Sequence, residues 1–203
     1  KGLDLGLLNQ PPMLREISAV SKYTRNNTPS YTFSSNKAGK ISYQGKCRSS
    51  SNLAVADNNT ISFKKLEDGT YKNCVITVTD FTNIKGLIGT LNVSSFTVDT
   101  TAPTISEAKA ISSPTNTKPI YQFNSSESGT ISYGGSCSSS NTSASTGLNI
   151  IEFNTLTEGT YSDCTITVTD SIGNVSSSLS VTEFKVDTTA PTISEAKAIS
   201  SPT

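Results

Sequence analysis

The chain has 203 residues, of which 33% are hydrophobic and 16% are charged, and its 16 Lys and Arg residues balance its 16 Asp and Glu residues. It contains no run of about twenty apolar residues, which excludes a transmembrane helix, and no histidine, which excludes Ser-His-Asp and Cys-His catalysis. Low hydrophobic content is typical of disorder, but Ile, Val, Tyr and Phe alternate here with polar residues, which favours half-buried strands.

Internal repetition defines the organisation of the chain. Residues 98–115 and 186–203 have the same sequence, VDTTAPTISEAKAISSPT, at an offset of 88 positions. Such a repeat sets the size of the folding unit, here about ninety residues. The predicted division is an N-terminal lead or donor-like strand at 1–10, a first repeat at 11–102, a second repeat at 103–190 and the start of a third at 191–203.

The first ten residues have the alternation of a strand. Leu3, Leu5 and Leu7 alternate with glycine and aspartate. The segment is interpreted as the last strand of a preceding domain, as a flexible lead, or as a strand given to the sheet edge of a neighbouring molecule. In the last case the three leucines would mediate assembly.

Repeat two shows the clearest strand pattern. Its short runs are rich in β-branched and aromatic residues and end at Gly, Pro, Asn or Ser. The predicted strands lie at 104–111, 119–125, 129–136, 148–154, 161–169 and 174–186, with a possible short one at 141–146. This many short strands without helical periodicity predict an all-β fold of tandem antiparallel β-sandwiches.

The balanced net charge conceals a difference between the repeats. Residues 11–102 carry eleven Lys or Arg and six Asp or Glu, whereas residues 103–190 carry three and eight. The repeats therefore have net charges of +5 and −5. The difference is interpreted either as divergence of solvated surfaces or as complementary faces that steer copies of the chain into head-to-tail assembly.

Three motifs give the chain a family resemblance. They are VDTTAP at 98–103 and 186–191, a Leu-x-x-Gly-Thr-Tyr corner at 156–161, and TVTD-x-x-GN at 167–174. With these motifs, nearly everything after residue 11 resembles the bacterial Ig-like tandem repeats of large cell-surface proteins and adhesins. The resemblance implies Ig-like sandwiches in an extracellular array at a bacterial cell surface. The chain has no Trp, so Tyr133 is expected to take the core position that Trp has in antibody domains.

The four cysteines form two pairs with the same spacing, Cys47 with Cys74 and Cys137 with Cys164, 27 residues apart in each repeat. In an Ig-like sandwich the third strand runs antiparallel beside the sixth, which brings the end of one near the start of the other. We therefore expect one intradomain disulfide per repeat and an oxidising compartment. The alternative, a zinc site, lacks both Cys-x-x-Cys spacing and histidine.

Hard oxygen ligands occur near the junction of the repeats. Strand alternation places the hairpin with Asp170 and Asn174 at the end of the domain where the first strand enters, close to Asp99. Carboxylate and amide oxygens suit Ca²⁺, so these three residues are the predicted calcium ligands. The alternative is an ordinary tight hairpin, with Asp99 as a linker cap.

The linkers are short and end in proline. Asp99 and Pro103 delimit the first linker, and Asp187 and Pro191 delimit the second. Because proline fixes its own φ angle, we expect each linker to restrict the swing of one domain on the next and to give a slightly flexible rod.

The sequence favours a structural function over catalysis. Glu67 and Asp68 are adjacent carboxylates, but they lie at a turn and are interpreted as solvated. The leading hypothesis is a stalk or fibre of a bacterial surface protein, whose partners are neighbouring Ig-like repeats. One alternative is a subunit of a self-assembling filament or sheath that binds other copies of itself. The other is a carbohydrate-binding module that stacks glycans on Tyr23, Tyr43 or Tyr133. Scattered basic residues without an aromatic platform disfavour nucleic-acid binding.

Overall fold

The computed structural model describes residues 10–81 and 86–194. The chain divides into two compact units, one formed by Lys1–Ala102 with Ile172–Asn174 and the other by Pro103–Ser171 with Val175–Thr203. In the described ranges the chain forms strands and loops, and none of it is a helix long and apolar enough to cross a membrane. The predicted assembly residues Leu3, Leu5 and Leu7 lie outside the described residues.

The first unit is a two-layer β-sandwich. Its strands in the described part of the chain are β1 Leu14–Ser18, β2 Tyr23–Thr24, β3 Ser30–Ser35, β4 Gly39–Gln44, β5 Leu53–Ala54, β6 Asn58–Ser62, β7 Gly69–Tyr71, β8 Val75–Asp80, β9 Ile88–Asn92 and β10 Phe96–Val98. One layer has the strand order β1-β3-β6 and the other β5-β4-β8-β9, and a smaller sheet has the order β2-β10-β7. The pairing is antiparallel except between β10 and β2.

The second unit repeats this architecture. Its strands are β11 Ile105–Lys109, β12 Ile120–Ser125, β13 Gly129–Gly134, β14 Ser143–Ala144, β15 Gly147–Glu152, β16 Gly159–Tyr161, β17 Thr165–Thr169, β18 Leu179–Ser180 and β19 Phe184–Val186. The layers are β11-β12-β15 and β14-β13-β17-β18, and β16 pairs with β19. The predicted all-β, Ig-like fold is therefore confirmed.

Each sandwich encloses an aromatic core between its layers. Tyr31 and Phe33 lie two positions apart on β3, so both point to the inner face, where neither is exposed. Phe63 stacks between Tyr31 and Phe96, with ring centroids 5.9 and 6.1 Å apart. The second unit uses the equivalent residues Tyr121, Phe123, Phe153 and Phe184. Burying such rings is the main stabilising contribution to a fold of this hydrophobic content.

Two predicted strands are each broken in two. The predicted strand 161–169 consists of β16 and β17, which lie in different sheets, and the predicted strand 174–186 contains β18 and β19. The ring of Tyr161 stacks on Phe184 of β19 at 5.3 Å, whereas the disulfide of Cys164 lies next to β17. The chain thus changes layers between these two contacts. The prediction of continuous strands was wrong because alternation alone does not reveal a change of layer.

Candidate functional site

The four cysteines form the two predicted disulfides. Cys47 is bonded to Cys74 and Cys137 to Cys164, with Cα atoms 5.4 and 5.2 Å apart, and all four residues are buried. In the second unit the bond lies directly beyond the last residue pair of β13 and β17, as Ig-like topology predicts. All four sulfur atoms are in disulfide bonds, so none is a thiolate that could bind zinc, and the alternative of a zinc site has no support.

A glycine turn brings the backbone close to each disulfide. Gly45 and Gly135 have φ angles of +79° and +71°, a region that other residues rarely adopt. A Cβ atom at Gly135 would lie 2.1 Å from the carbonyl oxygen of Asp163, and one at Gly45 would lie 2.0 Å from that of Asn73. These glycines are required both by the turn and by the close approach of the two chain segments.

The Leu-x-x-Gly-Thr-Tyr motif folds as a tyrosine corner. The Tyr71 hydroxyl donates a hydrogen bond of 2.7 Å to the carbonyl oxygen of Glu67, and the Tyr161 hydroxyl donates one of 2.9 Å to that of Thr157. In each case the acceptor precedes the tyrosine by four residues. The hydroxyl thus fixes the turn that leads into β7 or β16, while its ring packs into the sandwich.

A glutamate on the first strand of each unit joins the two layers. In the first unit, Glu16 of β1 accepts hydrogen bonds from the Ser94 backbone N–H at 3.0 Å and the Ser94 hydroxyl at 2.6 Å, after β9. In the second unit, Glu107 of β11 accepts the same two bonds from Thr182, at 3.1 and 2.7 Å. We call these two arrangements the carboxylate clamps. The sequence did not indicate the clamps. Glu16 and Ser94 are 78 residues apart, Glu107 and Thr182 are 75 apart, and the donor is a serine in one unit and a threonine in the other.

The first carboxylate clamp shifts the pKa values of Glu16 itself and of the buried Tyr31 hydroxyl that is bonded to it. The Tyr31 hydroxyl donates to Glu16 at 2.8 Å. Burial raises the pKa of Glu16, but the hydrogen bonds from Ser94 and Tyr31 together outweigh it and hold the pKa below its ordinary value of 4.5. Burial, followed by the hydrogen bond to Glu16 and its charge, raises the pKa of Tyr31.

The lowered pKa of Glu16 predicts a stability difference at acid pH. Because the pKa is lower in the folded than in the unfolded state, the stabilisation is present above pH 4.5 and is lost as the pH falls through the folded pKa. Glu16→Gln is expected to reduce the acid-dependent loss of first-unit stability by less than about 1 kcal/mol, since the carboxylate is partly solvated. Hydrogen exchange of the first unit's core amides, measured at several pH values in both proteins, checks this. A difference between the proteins that does not change with pH would contradict the role of the clamp.

The threonines of each linker are bonded to their own unit. The Thr100 backbone N–H and hydroxyl donate to one oxygen of Asp68 at 2.9 Å, and the Thr101 hydroxyl donates to the other at 2.5 Å. The Thr101 hydroxyl and Thr100 N–H are the main causes of the lowered pKa of Asp68. In the second unit Glu158 accepts hydrogen bonds from the Thr188 and Thr189 hydroxyls. The interpretation of Asp68 as merely solvated therefore overlooked an anchor for the linker.

The aspartates of the linkers form turns with the same threonines. Asp99 accepts the backbone N–H of Thr101 at 3.1 Å, and Asp187 accepts that of Thr189 at 3.0 Å. These are the local bonds by which Asp commonly caps a turn. The prediction that Pro103 and Pro191 restrict domain swing stays a prediction.

The predicted calcium ligands belong to both units. Asp99 and Asn174 fall in the first unit and Asp170 falls in the second. Asp170 and Asn174 are both buried, with exposed fractions of 9% and 8%. Calcium binding by these residues stays a prediction.

The two units differ at one buried acid. In the first unit the Lys37 ammonium lies 2.9 Å from Asp80, whose side chain is only 1% exposed, and it also donates to the carbonyl oxygen of Gln10 at 2.6 Å. In the second unit Glu127 takes the position of Lys37, and its carboxylate oxygen lies within 4.8 Å of that of Asp170. A cation–anion pair in one repeat thus corresponds to two acids in the other. Sequence reasoning missed the pair because its members are 43 residues apart.

The three tyrosines considered for glycan stacking are in different environments. The Tyr43 hydroxyl donates to the carbonyl oxygen of Ser51 at 2.6 Å, and the Tyr133 hydroxyl donates to that of Asn141. Both rings are partly buried and pack against the core. Tyr23 is 56% exposed, and the Lys22 ammonium lies over its ring, 5.3 Å from the ring centroid.

Comparison with known proteins gives a distant structural likeness. No protein-family model matches the chain, and no curated protein matches it significantly. The solved structures similar to it include one described as the D00-D0 domain of intimin, with a TM-score of 0.42 and 13% sequence identity, covering 84% of this chain and 98% of that one. The class of the fold follows from the structure itself: two disulfide-bonded, two-layer sandwiches with tyrosine corners are Ig-like.

Proposed function

We propose that the chain is an extracellular structural segment of a bacterial surface protein, in which Ig-like repeats serve as a stalk or fibre. The observation that carries this proposal is the recurrence of one disulfide-bonded sandwich in each repeat. Disulfides persist in oxidising compartments and are rare in the cytosol. The identical segments 98–115 and 186–203 support a unit that is used repeatedly.

The polar chemistry of the described residues supports a mechanical over a chemical function. The acids Asp68 and Glu158 hold linker threonines, and the carboxylate clamps join layers. Each of these bonds fixes one part of a sandwich to another part of the same sandwich. A segment that transmits force or holds other domains at a distance needs such internal bonds.

Surface exposure on intact cells tests the proposal. Cells that produce the protein are treated with a protease that does not enter them, and the fragments released are identified by mass spectrometry. We expect fragments from residues 11–190 to be released from intact cells, while a cytosolic marker protein stays intact. Protection of these residues until the cells are lysed would contradict an extracellular position.

A further inference from the structure

The first unit carries a group of basic residues at the end of the sandwich where its disulfide lies. The five residues, all exposed, are Lys46, Arg48, Lys64, Lys65 and Lys72. Two of them flank Cys47, two follow the end of β6, and one lies two positions before Cys74. We call these five residues the basic end.

Contacts within the first unit bring the basic end together. The Lys64 backbone N–H donates to the carbonyl oxygen of Arg48 at 2.7 Å. The Arg48 guanidinium donates in turn to the carbonyl oxygens of Gly45 and Cys47, at 2.6 and 2.9 Å. Gly45 lies on the wall of the cavity that Lys46 and Lys72 share. Basic residues that are scattered in the sequence thus converge on one part of the surface.

Two lysines of the basic end share an open cavity. Lys46 and Lys72 line a cavity of about 370 Å³, whose wall also includes Thr70 and Asn73. This volume is in the range of ligand-binding pockets. No member of the basic end forms an ion pair with a described residue. The cavity therefore combines two cations without a counter-charge, a hydroxyl and an amide.

The fold does not require the basic end, because the second unit forms without it. The equivalent residues there are Ser136, Ser138, Asn154, Thr155 and Ser162, none of them charged. Asp163 takes the position of Asn73, and its carboxylate accepts a hydrogen bond of 2.8 Å from the Ser136 hydroxyl. The place that carries two lysines in the first unit thus carries an acid in the second.

The basic end accounts for half of the charge difference between the repeats. With their acids included, residues 45–49 and 63–74 have a net charge of +3, whereas the equivalent residues 135–139 and 153–164 have a net charge of −2. Of the two acids in the first set, Asp68 is already bonded to the linker threonines. The difference between the repeats is therefore concentrated at one end of the first sandwich, where it attracts anions.

We propose that the basic end binds an anionic polysaccharide, with a carboxylate or sulfate group of the chain held between Lys46 and Lys72. Lysine is a point charge on a flexible side chain, which suits anionic groups spaced along a polymer. The Thr70 hydroxyl and the Asn73 amide supply donors and acceptors for the sugar hydroxyls beside that group. The other basic residues attract the anionic groups that follow along the polymer.

The composition of the basic end favours a polysaccharide over other anionic partners. Protein interfaces are depleted in lysine, yet four of these five residues are lysines. The aromatic residues of the same segments, Phe63 and Tyr71, are buried, so no ring is open there to stack on the bases of a single-stranded nucleic acid. Basic surfaces bind anionic lipids at the cytoplasmic leaflet, so the choice of a polysaccharide over a membrane rests on the proposed extracellular function.

Binding of the purified chain to dextran sulfate, carboxymethyl dextran and unsubstituted dextran tests the proposal. The three polymers share one backbone and differ in their anionic groups. We expect the wild-type chain to bind at least one of the two anionic polymers, less tightly as salt is added, and not to bind dextran. Lys46→Ser combined with Lys72→Ser, which copies the second unit, is expected to weaken binding by about tenfold. The tighter of the two anionic polymers identifies the group that the lysines prefer.

The matched control is Arg15→Ser combined with Lys40→Thr. Both residues are exposed near the starts of β1 and β4, at the other end of the same sandwich, and both changes copy the second unit. This variant loses the same charge and is expected to bind within about twofold of the wild type. Equal losses in the two double variants would overturn the proposal, because they would reflect net charge alone.

Two further results would overturn the proposal. The first is that neither anionic dextran binds the wild-type chain at low salt. The second is tighter binding to single-stranded DNA, or to vesicles that contain phosphatidylglycerol, at the same concentration of anionic groups, which would show that the class of partner is wrong. Each of these results concerns the purified chain and is therefore separate from the protease test on intact cells, which decides the proposed extracellular function.

Discussion

Replacing both Cys137 and Cys164 with alanine is expected to lower the free energy of unfolding of the second unit by about 3 kcal/mol. The disulfide closes a loop with a sequence separation of 27, and without it the unfolded chain gains the conformational freedom that the bond removes. Both cysteines are buried, so the loss of their sulfur atoms from the core adds to the effect. The measurement is native-state hydrogen exchange, which reports the stability of each unit separately.

The control for this variant is the equivalent change at Cys47 and Cys74. We expect it to lower protection of the first unit's core amides, such as those of Ile76 and Val78, and to leave that of the second unit's equivalents unchanged. Equal loss in both units from either double substitution would show that they unfold together. A loss below about 1 kcal/mol in the substituted unit would contradict a stabilising role for the bond.

Replacing Lys37 with methionine is expected to destabilise the first unit by about 3 kcal/mol. The substitution keeps an aliphatic side chain but removes the charge that lies 2.9 Å from the buried carboxylate of Asp80. It also removes the bond to the carbonyl oxygen of Gln10. Taking one member from a buried ion pair is costly because the remaining charge stays in a medium of low polarity.

The second unit offers the control for this variant. Lys118→Met is the exposed control: Lys118 and Glu152 are both 57% exposed and their charged atoms are 3.9 Å apart, so we expect a change within about 0.5 kcal/mol. The same hydrogen-exchange measurement is made on both variants. An effect of Lys37→Met no larger than that of Lys118→Met would contradict the assigned role of the ion pair.

The features that the sequence predicted depend on residues close together in the chain, or they recur in both repeats. The strand alternation, the cysteine spacing and the corner ending in Tyr161 each occur in both repeats. The alternation predicted the all-β fold, though not the breaks within 161–169 and 174–186, and the cysteine spacing predicted the two disulfides. Their physical basis is short-range: the period of a strand, the topology of a sandwich, and a tyrosine hydroxyl within reach of a carbonyl four residues away.

The features that were not predicted depend on contacts between distant segments. Glu16 and Ser94 are 78 residues apart, and Lys37 and Asp80 are 43 apart. Neither pair has a sequence spacing that identifies it, because the sandwich rather than the local chain brings the partners together. The change of layer before Cys164 was missed for a different reason. The residues on both sides of it have β-strand composition, so the sequence does not show that they belong to different sheets.

The oxidation state of the cysteines in the native protein tests the central claim most directly. The protein is isolated from cells with free thiols blocked at lysis, and its peptides are mapped by mass spectrometry without reduction. An extracellular array of disulfide-bonded sandwiches predicts cross-linked peptides that join Cys47 to Cys74 and Cys137 to Cys164, with no blocked thiol. Four blocked thiols would show that the chain works in a reducing compartment. That result would contradict both the disulfides and the extracellular function proposed from them.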